Sequence, residues 1–253
     1  MARARRPPRR TPEEGRQALL EAGRALAHEQ PAAPPLDHIR LTDVARSAGV
    51  SSGALYHYWD TQDDYHDDLL DHLFEPGRFD PAANVAEVAA VADALTDEVG
   101  APHPSLDEQI RIGASLELEG LLANADLRVL LALWAGGDAE VRDRIAGHFR
   151  STGRRWADFY ERAFRSAGLE VRPPFTYEML AVVLAALADG LAVRASVEPE
   201  AVPVDLDDQG WGILAATLVA LLPVFSRRVD TNETFWDFLD ELRAMLSVSG
   251  DEA

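Results

Sequence analysis

Apolar residues recur at three- and four-residue spacing along most of the chain, in runs punctuated by proline and glycine, and this pattern predicts a succession of amphipathic helices. The first run follows Thr11-Pro12-Glu13-Glu14, where an N-cap threonine, a proline at the first helical position and a capping-box glutamate together start a helix. Leu19, Leu20, Ala22, Gly23 and Leu26 form its inner face, and the prolines at 31, 34 and 35 end it. From Leu41 two short helical patterns flank Gly49, and a third runs from near Asp60 to about Phe74. Helical periodicity then recurs over 83–99, 105–123, 126–135, 138–167, 175–196, 210–227 and 231–247. Pro81, Pro102, Pro104, Gly136, Gly137, Pro173, Pro174, Pro199 and Pro203 separate most of these segments, and Ser105-Leu106-Asp107-Glu108 opens one with a second capping box. With no β-type alternation and no internal repeat, the predicted fold class is all-α.

The composition narrows this picture. At 253 residues, 47% hydrophobic and 26% charged, the chain can bury a substantial core as one large domain or two small ones. The absence of cysteine excludes a disulfide scaffold, a thiolate zinc site and a cysteine nucleophile, and suits a reducing compartment. The apolar run Trp211 to Phe225 would span only about 22 Å as a helix, short of the roughly 30 Å of bilayer hydrocarbon, so it predicts a buried helix. No apolar stretch follows the N-terminal arginines, which excludes a signal-peptide pattern; the expectation is a cytoplasmic protein without a membrane partner.

The net charge of −19 is unevenly distributed. Residues 1–60 carry nine of the 24 basic residues against seven of the 43 acids, so the remaining 15 bases face 36 acids downstream. One end of the chain is therefore compatible with phosphate, and the rest repels it. Met1 to Arg10, with five arginines and two prolines, reads as a flexible basic arm that either enters a DNA minor groove or serves as a solubilising tail.

The most informative stretch runs from Leu41 to Trp59. Val44, Ala45 and Ala48 share one helix face, and Ala45 is small enough for a second helix to cross close above it. Gly49 can take the left-handed conformation of a tight turn, Val50 packs inward after it, and Ser51 is placed to cap the second helix. Leu55 and Trp59 return to the core, which leaves Ser52, Gly53, Tyr56 and His57 on the free flank. Hydroxyls and an imidazole there suit base edges or phosphates, and Gly53 lets the backbone approach closely. Incidental amphipathic helices would explain the apolar positions but not the tight glycine turn followed by a polar helix start.

Ala48-Gly49-Val50-Ser51, then Gly53-Ala54-Leu55-Tyr56 and the ring residues through Trp59, resemble the helix-turn-helix of the TetR family. The similarity extends over about residues 14 to 74 and returns at Leu187-Ala188-Asp189-Gly190-Leu191-Ala192-Val193-Arg194-Ala195, which is similar to the family's penultimate dimer helix. The resemblance implies a homodimeric repressor with two DNA-reading heads, an effector cavity in each C-terminal domain and release by a small molecule. It carries DNA contacts over to Thr42, Ser51, Ser52, Gly53, Tyr56, His57 and Tyr58. Three departures stand out. Gln62 replaces a phosphate-touching lysine beside Asp60, Asp63 and Asp64; the connection from Gln30 to Arg40 is long and proline-rich; and Arg40 stands where a capping threonine is usual, placed to contact phosphate itself.

Ala181, Ala185, Ala188, Ala192 and Ala195, with Gly212, Ala216 and Ala220, form small-residue strips that suit close packing in a four-helix dimer, or else face their own core. Around the aromatic 138–167 segment, Trp134, His148, Trp156, Tyr160 and Tyr177 are the candidate effector-lining residues, with Gly147 and Gly153 as possible kinks. Ordinary core packing would account for the same rings.

The expected organisation is a basic arm over 1–10, the DNA-binding domain over 11–60, a connecting helix over 61–75, and an effector and dimerisation domain over 76–253. The expected partners are operator DNA, an unidentified small molecule and a second copy of the chain, with no cofactor. An activator or protein-binding adaptor on the same fold is the nearest alternative, kept open by the acidic run at 60–64. A metal site in the His66–His72 run, where Asp68 and His72 share a helix face one turn apart, would need a third ligand from elsewhere, and no nucleophile elbow, zinc-protease helix, phosphate loop or dinucleotide fingerprint supports an enzyme.

Overall fold

The computed structural model describes residues 11–29, 36, 38–74, 105–203, 205–207 and 210–248. The basic arm, the proline-rich stretch at 30–35, the helix expected over 83–99 and the prolines at 81, 102 and 104 lie outside the described residues. In chain order the helices are α1 (Pro12–Glu29), α2 (Leu41–Ala48), α3 (Ser52–Leu55), α4 (Gln62–Leu73), α5 (Leu106–Ala123), α6 (Ala125–Gly136), α7 (Ala139–Ser166), α8 (Tyr177–Val197), α9 (Ile213–Phe225) and α10 (Phe235–Val248). Local chemistry sets their starts. Before α1, the Thr11 N–H donates to Glu14 Oε2 at 2.7 Å and the Glu14 N–H to Thr11 Oγ1 at 3.2 Å. Before α5, the Ser105 N–H donates to Glu108 Oε2 at 2.9 Å. Thr176 caps α8 by accepting from the Met179 N–H at 3.2 Å.

The contacts divide the chain into two compact units. The first holds α1 to α4, α6 and the start of α7. Its core joins Leu19 and Leu20 of α1, Val44 and Ala45 of α2, Leu55 and Trp59, and Tyr65, Leu69 and Leu73 of α4, and continues into Val129, Leu130 and Leu133 of α6 and Ile145 of α7. Ion pairs reinforce the same joints. The Arg24 guanidinium grips Asp126 with both arms, at 3.0 and 3.1 Å, and His28 reaches the same buried carboxylate. Arg144 of α7 donates to the Asp67 carbonyl of α4 at 3.1 Å and lies 3.6 Å from the Asp71 carboxylate.

The second unit holds α5, the rest of α7 and everything after it. Here α5 packs on α8 and α9. Helix α8 is apolar nearly all round, and it is the one helix among the described residues long and apolar enough to cross a membrane. Tertiary packing splits it in two. Leu180, Ala181, Ala188, Ala192 and Ala195 are buried, whereas Val182 is 65%, Val193 37% and Val197 81% exposed. The alanine strip at Ala181, Ala188, Ala192 and Ala195, expected at a dimer interface, is therefore turned into its own unit, where small side chains let neighbouring helices approach closely. Gly212 is buried as well and Ala216 half-buried, while Ala185 and Ala220 stay exposed.

Two three-residue strands add to the helical pattern. β1 (Leu169–Val171) pairs antiparallel with β2 (Ser226–Arg228), too short for alternation to register in the sequence. Buried Arg172 closes the knot: its guanidinium donates to the Ser226 carbonyl at 2.7 Å and the Pro223 carbonyl at 3.1 Å, pairs with Glu233 at 2.7 Å and lies over the Phe238 ring at 5.0 Å. Gly147 and Gly153 do not break α7, which runs unbroken for 28 residues.

Candidate functional site

The DNA-reading candidate is built on the α2–α3 turn. Gly49 ends α2 at φ +69°, a left-handed conformation that a side chain would strain, and the Val50 N–H donates to the Ala45 carbonyl at 2.9 Å. The chain emerges extended at Ser51 (φ −75°, ψ 149°) and enters α3. Ser51 holds the N-cap position, yet its hydroxyl makes no capping bond. Val50, expected to pack inward, is 39% exposed, because the core beneath the turn is closed by Val44, Ala45, Leu55 and Trp59.

The free flank is as polar as expected. Arg40, Thr42, Ser51, Ser52, Gly53 and His57 are exposed, and Tyr56 is 60% exposed. A Cβ built on Gly53 would meet only Ser51 Oγ, at 4.0 Å, so the helix start is open for close approach. Tyr58 is the candidate turned partly inward: it is half-buried on the core, and a Cβ at Gly15 of α1 would fall 2.3 Å from its hydroxyl. It supports the flank from behind.

What orients this rod is a carboxylate on α4. Asp68 accepts from the Trp59 indole N–H and from the Arg16 guanidinium, which also sits 5.8 Å above the Trp59 ring. Trp59 thus ties the end of the α3 segment to α1 and α4 together. Nothing in the amino-acid pattern signals this three-way contact, because its members lie on three separate elements. The acidic run has a local role too: the Thr61 N–H donates to Asp64 Oδ2 at 2.9 Å and the Asp64 N–H to Thr61 Oγ1 at 3.1 Å, a capping box that places Asp63 and Asp64 in the first turn of α4, where the helix dipole favours them. Gln62 opens that helix, half-buried. His66, Asp68 and His72 do not converge: His66 bonds the Ile39 carbonyl at 2.9 Å, and His72 meets Glu21 at 3.2 Å.

The second unit contains a cavity of about 130 Å³, walled by α5, the latter part of α7, α8 and α9. Of the effector-lining candidates it gathers Trp156 and Tyr160, whose rings stack 5.5 Å apart at 17°. Tyr177 lies outside the wall, edge-on to Phe164 at 6.0 Å. Trp134 is 63% exposed on α6, and His148 sits 5.7 Å from the Phe74 ring; both belong to the other unit and do not line the cavity. The wall also takes in residues outside the expected lining: Gln109, Gly113 and Glu117 on one stripe of α5, and Phe159, Phe164 and Phe225. The four-residue spacing of that α5 stripe was the available signal. Burial, aided by the Glu117 charge, pushes the Tyr160 phenol well above its usual range, so it stays protonated.

Residues 118–223 match the C-terminal domain of BetI-type transcriptional repressors, within the TetR family. That match spans less than half of the chain, which over this stretch is similar to regulators of the TetR family. A TetR-family protein from Vibrio parahaemolyticus shares the fold at TM-score 0.52 and 15% identity, covering 85% of this chain and all of that one (100%). The reduced form of Escherichia coli NemR does so at TM-score 0.50 and 15% identity, covering 74% of this chain and 89% of its own. No curated protein sequence matches this chain. Tyr56→Ala removes an exposed ring, so unfolding stability is expected to stay within about 0.5 kcal/mol while operator affinity falls about 10- to 100-fold in a gel-shift titration. Unchanged affinity would take Tyr56 off the contact face.

Proposed function

We propose that this regulator is a homodimeric, cytoplasmic repressor that grips a near-palindromic operator and is released by a small-molecule effector. The observation that carries the reading is the uncovered polar flank of α3, set out from the core by the left-handed turn at Gly49. In this reading residues 11–60 form the reading head and 61–75 the connecting helix, and the effector and dimer functions expected over 76–253 fall to its second-unit part, since 124–148 pack with the first unit. Arg40, Thr42, Ser51, Ser52, Tyr56 and His57 make the DNA contacts, with Gly53 at the closest approach.

Self-association uses the outer face of α8, where Val182, Ala186, Gly190, Val193 and Val197 recur as an exposed apolar strip, together with Ala220 of α9. An exposed apolar face of this length is costly in water and is satisfied by a second copy across a two-fold axis. The effector occupies the cavity beside Trp156 and Tyr160. The capping role of Asp64 gives the acidic run a structural reason and weakens the adaptor alternative.

Selection from random DNA is expected to yield near-palindromic sites whose half-sites match the dimer's two-fold axis. Operator affinity should fall by roughly a thousandfold between about 50 and 200 mM salt, as six or more phosphate contacts require. Asymmetric sites would contradict the symmetric dimer, and weak binding that is flat with salt would favour the adaptor.

A further inference from the structure

We propose that the outer face of α7 is a docking surface for a second copy of this chain, whose acidic row along α4 it neutralises when two copies stand side by side. This goes beyond the regulator reading and needs neither its dimer nor its operator. Beyond residue 60 the chain carries 15 bases against 36 acids, yet seven of those bases lie on the 28 residues of α7 with only four acids, leaving eight bases against 32 acids elsewhere. The positive charge of that stretch is gathered on one rod. Part of it is spent within the chain: Arg144 meets Glu140, Asp67 and Asp71, and Arg165 meets Glu161 at 2.7 Å. Arg150, Arg154 and Arg162 are exposed and, among the described residues, hold no carboxylate. Asp158 stands one turn from two of them and pairs with neither. Like charges one turn apart disfavour a helix, and guanidinium forks fit carboxylates, so this face suits an anionic partner.

The matching anion is on the chain itself. Asp60, Asp63, Asp67 and Asp71 recur at three- and four-residue spacing into and along α4, and all are exposed. Within the first unit this row already takes a guanidinium from α7, since Arg144 lies 3.3 Å from Asp67 and 3.6 Å from Asp71. Its upstream end, Asp60 and Asp63, holds no cation among the described residues. Arg150 and Arg154 of a second copy, one turn apart, fit that end as Arg144 fits the other. A nucleic-acid backbone fits less well, because the acids elsewhere in the stretch repel a long polyanion. The contact joins two different faces, so it adds copies in a row rather than closing a pair. It also neutralises carboxylates that directly follow the reading flank in the chain, which lowers their repulsion of phosphate.

Sedimentation equilibrium of the full chain, without DNA, tests this. Surface ion pairs are individually weak, so at about 0.5 mM chain the average mass is expected to be at least about 1.3-fold higher in about 100 mM salt than in about 500 mM. Arg150→Glu with Arg154→Glu, and separately Asp60→Arg with Asp63→Arg, are each expected to lose that rise. An equimolar mixture of the two variants is expected to regain it, because the reversed rows complement each other again. All four side chains are exposed, so both variants should fold, and the regain itself reports that they have. No rise for the unaltered chain, a rise that survives either reversal, or a mixture that stays at its high-salt mass overturns the proposal. Titration of a DNA fragment recovered by selection reads the regulator proposal separately. The Arg150→Glu, Arg154→Glu variant should keep its affinity for one site within about twofold, and a larger loss would make the row a DNA contact and overturn the assignment. Failure of the unaltered chain to select any DNA would sink the regulator reading and leave this one standing.

Discussion

In the proposed homodimer, Ala186→Arg is expected to separate the two copies into monomers and to lower operator affinity by at least about a hundredfold. Ala186 lies near the centre of the exposed strip of α8, one turn from Val182, 65% exposed, and from Gly190. A guanidinium there would be forced against its own copy across a two-fold axis, and an unpaired buried charge costs several kcal/mol. A monomer engages one half-site at a time and loses the gain of a second, tethered contact, commonly a factor of 10²–10⁴. Because the position faces outward, the monomer should fold. Light scattering at micromolar concentration reads the mass and a gel-shift titration reads the affinity. A variant that remains a dimer with full affinity would move the interface elsewhere. Ala188→Arg is the informative contrast: Ala188 is 5% exposed and lines the cavity, so that change should unfold the second unit rather than split a dimer.

Arg172→Ala is expected to destabilise the second unit by about 3–5 kcal/mol, the usual result of removing one partner of a buried pair. The loss is larger than that of a surface pair because the guanidinium serves several groups at once: two backbone carbonyls at 2.7 and 3.1 Å, the Glu233 carboxylate at 2.7 Å and the Phe238 ring. Without it those carbonyls are buried without that donor, and the segments after α7 and after α9 lose their common tie. Thermal unfolding should drop by about 10 °C, at roughly 2–4 °C per kcal/mol for a unit of this size. Arg172→Lys keeps the charge but not the planar fork, and should fall between the two. A drop of less than about 2 °C for the alanine variant would show that the knot is held by the strand pairing alone.

The elements whose cause is local were legible in the chain. Thr11 with Glu14, Ser105 with Glu108 and the glycine at 49 announce helix ends through neighbours three or fewer residues away, and the structure places helix ends there. The polar flank of α3 followed from the positions of Leu55 and Trp59, since a rod with two anchors on one side presents the other. The N-cap of α4 at Thr61 is hidden in the sequence, because its partner Asp64 stands within a run of acids that reads as charge.

What the sequence determined by itself was where helices begin and end and which way the recognition rod is turned, because hydrogen-bonded caps and a three-to-four-residue period are decided within a turn or two. Only the tertiary structure decided which of two equally apolar strips of α8 goes inside, whether Trp134 or Trp156 meets the cavity, and that Arg172 is buried. Ala181 and Val182 are adjacent, similar in polarity and on helical stripes of the same period, yet one is 1% and the other 65% exposed. Periodicity sorts residues into faces, but the choice between faces belongs to the partners that distant parts of the chain bring against them.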